Sequence, residues 1–467
     1  MNKHSFFTTI PAIALAAIAS LSAASLYAQE TTYNGSITAK AGVSLANSDK
    51  HENEFIMGQT IFDGSFKTFF DEAMIYVNGQ LVHDALGSQS SNGMSGFVAN
   101  DGSFALKLKE AYIDWKSGMF ALRIGRQIVS WGKADDFQIT DVLSPFDESS
   151  VVAYDYNEAK LGVDAARLSL LTDKAQVDAY YIPFFTPSIL PLAKKNLLRS
   201  KIFPEQYNKF QIQNPNSHED FELPKKNLYN SEYALRASFY TSIMDLSLYA
   251  FYGWDDKPFI KYTPITSEDP ELNELNLDGF NISGKYKRMA MVGADAAIPV
   301  GDFVFRLETA YFPNRHIQTT PEYQFDQFMS NGKIPSSKRN DQLLSLAGVD
   351  WTFTFPYIGT WTVTAQYISD IVFKYRIYLD RKQYEHQVTG SVEKSLLNET
   401  LTISASGALD LCMCSSSSEI AIDYRLTDAI TLSMIGDLFL KGSEGKDGTY
   451  GIYRDFSGIT FKGKVMF

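Results

Sequence analysis

The chain has 467 residues, 14% of them aromatic, and a formal net charge of −12 at pH 7. That balance, with only short basic runs, excludes a nucleic-acid binder. Beyond residue 28 no apolar run reaches the roughly 18 residues of a membrane helix, which leaves a soluble β-protein or a membrane β-barrel, whose strands are apolar only at every second position.

Lys3 and His4 precede an apolar, Ala-rich stretch from Phe6 to Leu26 that closes in Ser25-Leu26-Tyr27-Ala28 before Gln29. This is the pattern of a removable secretory signal over residues 1–28. The alternative, an N-terminal membrane helix, meets Pro11 inside the segment and extended, alternating sequence after it. No Cys stands near the cleavage point, so no lipid anchor is expected. Residues 29–467 then read as one outer-membrane β-barrel with long extracellular loops.

The first strand begins near Tyr33 and sets Ile37, Ala39, Ala41, Val43 and Leu45 against Ser36, Thr38, Lys40 and Ser44. It leaves no room ahead for a plug or passenger domain, which argues against a TonB-dependent receptor and an autotransporter. Over 104–131 the apolar face switches from Leu106 and Leu108 to Ala111, Ile113 and Trp115, as one extra residue in a β-bulge would make it.

Arg123 to Asp147 is the densest segment for chemistry. Arg126 ends a strand, Trp131 is placed at a pore mouth, and Lys133 beside Asp135 and Asp136 suggests a local ion-pair cluster. The plainer alternative is a strand-to-loop corner bent at Gly132 and Pro145. Asp135 and Asp136 as the paired carboxylates of a surface protease would need a loop geometry, because neighbours on a strand point opposite ways. The six His (4, 51, 83, 218, 316, 386) show no metal-ligand spacing. No enzyme, cofactor or metal site is expected. Cys412 and Cys414 read as two ordinary residues near a strand end, with a metal clip as the alternative.

The largest connection spans about 184–230, with seven basic residues against four acidic ones, and a short amphipathic helix is predicted at Leu192 to Phe203. A loop of that length is usually functional or disordered. The loop near 255–279 is acidic: Asp255, Asp256, Glu268, Asp269, Glu271, Glu274 and Asp278 against Lys257 and Lys261.

Alternating stripes then follow at 246–254, 290–298, 303–311, 347–353, 361–367, 399–412, 418–426, 430–440 and 459–467. Short turns fall near 70–72, 117–118, 172–174, 242–245, 299–302, 356–360, 397–400 and 427–429. These turns pair sixteen strands, and the first and last strands bring the count of an all-β, antiparallel, up-and-down transmembrane barrel to about eighteen, with sixteen as the other even number. A lipid-facing Lys or Arg at mid-membrane costs about 2–4 kcal/mol. The charges opposite the apolar stripes are therefore read as inward: Lys40, Arg236, Arg306, Glu308, Asp350, Glu393, Asp410, Asp423, Arg425, Asp437, Lys462 and Lys464. Candidate pore residues are Arg126, Trp131, Lys133, Asp135, Asp136, Arg236, Arg306, Glu308, Asp350, Asp423 and Arg425. Cross-strand pairing of opposite charges that merely fill the interior is the alternative reading of the same residues.

The stretch G-R-Q-I-V-S-W-G followed by D-V-L-S-P-F-D, and the later Tyr181-Ile182-Pro183-Phe184-Phe185-Thr186-Pro187, resemble recurrent segments of a porin-like outer-membrane family of unknown function. The resemblance covers roughly 120–190 firmly and the rest only as strand rhythm. It implies an outer-membrane channel for small molecules, in some members hydrophobic or aromatic compounds, and it carries no catalytic residues. The alternative is a surface adhesin or structural barrel without transport. Phe467 resembles the terminal aromatic that barrel-assembly machinery recognises; the other expected partners are outer-membrane lipid and the small-molecule solute.

Overall fold

The computed structural model describes residues 30–46, 54–202, 220–269, 274–355 and 359–467, with the side chains of 268–278 not described. The signal segment 1–28 and the centre of the 184–230 loop lie outside the described residues. In chain order the strands are β1 (Glu30–Ser44), β2 (Phe55–Phe70), β3 (Ala73–Asp84), β4 (Gly96–Val98), β5 (Phe104–Ser117), β6 (Phe120–Gln127) and β7 (Val163–Leu171). There follow β8 (Ala175–Ile182), β9 (Glu232–Tyr240), β10 (Asp245–Trp254), β11 (Phe259–Asp269), β12 (Glu274–Lys285), β13 (Arg288–Val300) and β14 (Phe303–Gln318). The last are β15 (Ser337–Phe355), β16 (Gly359–Val372), β17 (Tyr384–Leu396), β18 (Leu401–Asp410), β19 (Ser416–Thr427), β20 (Ile430–Leu440) and β21 (Gly458–Met466).

Among the described residues, eighteen of these strands, all but β4, β11 and β12, form one closed antiparallel barrel. β1 closes it by pairing with both β2 and β21, Ile37 opposite Phe62 on one side and Val465 on the other. Closure leaves no strand edge in the hydrocarbon, where an unpaired backbone group has no water to turn to. Ile113, Ile124, Val292, Leu307, Ile420 and Phe461 are exposed on the outer face, the belt that period-2 alternation predicts. The outer membrane is where such a belt meets its solvent.

The face switch in β5 is a bulge. Gly79 pairs with Leu108 and Asn78 with Glu110, so Lys109 is the extra residue. Lys109 and Glu110 therefore both face inward: the Lys109 ammonium donates to the Glu158 and Lys160 carbonyls at 2.7 and 2.6 Å, and Glu110 accepts from the Ile128 N–H at 2.9 Å.

The long connections carry structure of their own. β11 and β12 form a separate hairpin. The β14–β15 connection holds a helix, Pro321–Asn331, with Thr320 as N-cap and Gly332 ending it at φ 68°; Pro at the first turn and Gly past the end are the residues those positions favour. The helix expected over Leu192 to Phe203 is limited to Arg199–Ile202, and Phe203 lies outside the described residues. Leu192 and Leu198 are buried in two different clusters, so they cannot share one helix face.

Candidate permeation site

The connection from β6 to β7, residues 128–162, folds into the barrel. Its apolar residues Val129, Trp131, Ile139 and Leu143 are buried against the inner face of the wall, on Tyr249, Phe251, Met291 and Phe312. An inward segment must also satisfy its backbone amides, and one carboxylate takes three of them. Glu308 accepts from the Lys133, Ala134 and Thr140 N–H groups at 2.6, 2.9 and 2.8 Å, and from the Thr140 hydroxyl at 2.7 Å. Gly132 sits at φ +84°, and a Cβ there would meet the Glu308 carboxylate at 2.4–2.8 Å. Glycine is required on both counts.

Arg306 is the second anchor. It donates to the Lys133 carbonyl at 2.9 Å and pairs with both oxygens of Asp135 at 2.8 and 2.5 Å. It also bonds Asp350, which accepts from Thr364 at 2.8 Å. Gln366 accepts from the Asp135 N–H at 3.2 Å. Further along, Asp141 accepts from the Trp131 N–H at 3.0 Å and pairs with Lys160 at 2.6 Å, both side chains buried. Burial raises the Asp141 pKa, against the pull of Lys160. Asp437 takes the Ala153 N–H at 3.1 Å.

Beside this segment lies a cavity of about 680 Å³. Asp135, Asp136 and Phe137 line it from the inward segment, and Thr364, Gln366, Thr389, Ser391, Ser406 and Glu419 from β16 to β19. Leu190, Leu198 and Phe439 give it an apolar side. The loop of 183–198 roofs it, bridged to the inward segment through Glu148 N–H to the Ile189 carbonyl and Ile189 N–H to the Phe146 carbonyl, at 2.8 and 2.9 Å.

The structure brings Trp131, Lys133, Asp135, Asp136, Arg306, Glu308 and Asp350 together. Trp131, expected at a pore mouth, is instead buried, its ring 4.8 Å from Tyr249 and 5.9 Å from Tyr180; an indole folded inward gains more from that packing than from a wet rim. The cation holding Asp135 is Arg306, not the neighbouring Lys133. Arg126 is set in the wall, on Asp164 at 3.0 Å and the Met94 carbonyl at 2.8 Å. Arg236 bonds Ser238 at 3.0 Å, and Asp423 accepts from Ser433 at 2.5 Å. Arg425 is exposed beside the short β19–β20 turn, away from the cavity. Cys412 and Cys414 lie in the turn after β18, not disulfide-bonded. Phe467 continues β21 by one residue: its N–H and carbonyl bond Gly35 at 2.9 and 2.8 Å, and its ring lies 6.1 Å from Phe62. The sequence reading had Gly132 only as a bend, and it missed Thr140, Asp141, Lys160 and Gln366.

A closed barrel of this size, apolar outside and carrying an inward segment, defines the class as an outer-membrane β-barrel. Residues 28–409 match the family model described as "Protein of unknown function (DUF1302)", and the chain belongs to that family. No curated protein matches the chain. Among solved structures it is similar to Pseudomonas aeruginosa OccK8 (OprE), with TM-score 0.52 and 7% identity over 94% of this chain and 98% of that one. It is also similar to Acinetobacter baumannii OccAB1, with TM-score 0.51 and 10% identity over 94% and 96%. At these identities the likeness is one of fold.

Proposed function

We propose that the barrel is a channel for small molecules, narrowed by residues 128–162. The observation that carries this reading is the cavity of about 680 Å³ left between that segment and the hydroxyl-lined wall of β16–β19. A segment anchored at Glu308, Arg306, Lys160 and Lys109 sets a constriction of fixed shape, and fixed narrowing is what sorts solutes by size and polarity. Asp135, Asp136 and Glu419 supply charge at the constriction; Arg306 and Glu308 act by holding the segment in place.

The same cavity supports a narrower reading of the solute. One side is apolar, at Phe137, Leu190, Leu198 and Phe439, and the other offers Thr364, Gln366, Thr389 and Ser406. A compound with a hydrophobic or aromatic body and a polar edge satisfies both sides. The aromatic-Pro segment serves this reading as roof, since Pro187 accepts from Asn92 at 2.7 Å and Ile189 is buried.

Single-channel recording of the purified protein in planar bilayers tests the proposal. Steady conductance steps are expected, reduced by a permeating aromatic solute added on the long-loop side. A folded, heat-modifiable barrel that passes no current and gives no solute uptake in liposomes would overturn the channel reading and favour a surface or structural role.

A further inference from the structure

The long-loop rim of β10–β15 carries a feature that the lumen does not use. Arg288 opens β13 at the end opposite the short 301–302 turn, hence on the extracellular side. It shares the outer face with Val292, which is exposed. Its guanidinium lies 5.1 Å from the Tyr252 ring and 4.3 Å from Trp254, both on β10. Aromatic rings at that level mark the membrane–water interface of a barrel.

A strand of loop drapes across this rim. It is fixed at one end by the Glu222 N–H on the Gly284 carbonyl at 2.8 Å. At the other, Arg288 donates to the Tyr229 and Ser231 carbonyls at 2.6 and 3.0 Å. Between these points Lys225 and Lys226 are exposed. Leu228 and Tyr229, adjacent on this loop, are 76% and 93% exposed.

Lys285, Lys287 and Arg339 complete the strip. Lys285 meets Glu222 at 3.4 Å. Lys287 is held below the usual lysine range by burial first and then by Lys285 and Arg339, with Glu222 opposing. Arg339 is exposed and rests against His316 at 3.3 Å. Among the described residues, six cations share the strip with Asp220, Glu222 and Asp341, and Glu232 also faces Arg288. Positive charge in excess, at headgroup height, next to apolar side chains projecting outward, has one natural complement in a membrane. Basic side chains reach for headgroup phosphates while apolar ones enter the acyl boundary.

We propose that this strip binds the phosphorylated headgroup of a lipid of the outer leaflet, with Lys225, Lys226, Lys287 and Arg339 on the phosphates and Leu228 and Tyr229 against the acyl region. Arg288 acts as a positioning residue, since its donors are committed to the loop. The site lies on the outer wall, so it stands or falls independently of the solute that crosses the lumen.

The test reconstitutes the full-length barrel in phosphatidylcholine vesicles doped with diphosphoryl lipid A, re-extracts it in mild detergent and measures co-purifying lipid A by native mass spectrometry. The wild type should retain it. The combined variant Lys225→Gln, Lys226→Gln, Lys287→Gln, Arg339→Gln should retain at least about tenfold less, with unchanged heat-modifiability and channel conductance. Tyr229→Ser, which keeps every charge, should also lower retention, and it serves as the second readout should the combined variant fail to fold. Equal retention by wild type and variants would overturn the proposal. So would equal retention of dephosphorylated lipid A by the wild type.

Discussion

The arc from β13 to β16 and the arc from β17 to β20 present the same alternating apolar face to lipid, yet their inner faces differ. In the first, Met289, Met291, Phe312, Leu346 and Ile368 are buried beneath the inward segment, with Arg306 and Glu308 between them. In the second, the inward positions are Thr389, Ser391, Ser406, Ser417 and Glu419, and they border open space. The difference shows how one loop partitions a barrel. Apolar inner side chains in a wet lumen need cover, so the segment lies against the arc that carries them. A hydroxyl-lined arc needs none and remains free as the wall of a passage.

This partition of the barrel can be tested by substitution. The largest effect is expected at the seam on which both arcs depend. Phe467 extends the β1–β21 pairing through Gly35, at the seam where the barrel closes. Deleting it should sharply lower the amount of heat-modifiable barrel in the outer membrane; normal levels would show that the seam closes without it. Next comes Glu308→Ala. It strips four loop donors of their acceptor, and breaking a buried charged network costs about 3–5 kcal/mol. Thermal unfolding in detergent should register the loss, and conductance should rise as the segment leaves its arc. A destabilised variant with wild-type conductance would mean that packing alone holds the loop. Gly132→Ala should act in the same direction but less, about 1–3 kcal/mol, because it forces a side chain into a left-handed backbone and against Glu308.

The two arcs were not equally legible in the sequence. Lipid demands an apolar side chain at every second position, so the outward stripes, the short turns and a count of about eighteen strands could be read directly, as could a bulge in β5. The inward segment left a weaker trace. Phe251, Met289, Met291 and Phe312 are apolar on a face expected to be polar, so that these strands are apolar on both sides. An alternation test that tracks the outward stripe passes over that signal. The anchoring of the segment left none, since Glu308 receives backbone amides from residues 168 to 175 positions away, and an amide has no side-chain signature. Inward charge also says nothing about depth. Arg425 points inward by parity but sits at the short-turn end of β19, while Asp350 reaches the anchor diagonally, two positions along β15 from Gly348, the residue opposite Arg306. The caps of the Pro321–Asn331 helix were present in Thr320, Pro321 and Gly332, but a single helix between strands is easily passed over when the chain is scanned for period 2.

The smallest expected effect concerns the roof that joins the inward segment to the outer loops. Asp256 accepts from the Ser188 hydroxyl at 2.7 Å, and Ser188 Oγ in turn accepts from the Phe146 N–H at 3.1 Å. Burial pushes the Asp256 carboxyl up to about 6, with Asp255 and Glu148 adding to the shift and Lys257 opposing it. A carboxyl whose folded pKa is raised contributes fully below its unfolded value of about 3.9, and that contribution is lost as pH rises through the folded value. The roof should therefore loosen between about pH 4 and 6. Asp147 behaves oppositely. Burial raises its pKa, but Lys107 at 2.8 Å and the hydroxyl and amide of Ser149 outweigh that and hold it below the ordinary range, so its contribution is lost only as pH falls. Burial also raises other carboxyls near the segment, Asp141 among them, so the comparison with Asp256→Asn, not the pH window alone, assigns the change to Asp256. Asp256→Asn should protect the Phe146 and Ser188 amides from hydrogen exchange no differently from wild type at pH 4, and better than wild type at pH 7, after correction for intrinsic rates. A ratio that stays constant from pH 4 to 7 would show that ionisation of Asp256 does not bear on the roof, which is then held by the Glu148 and Ile189 backbone bonds.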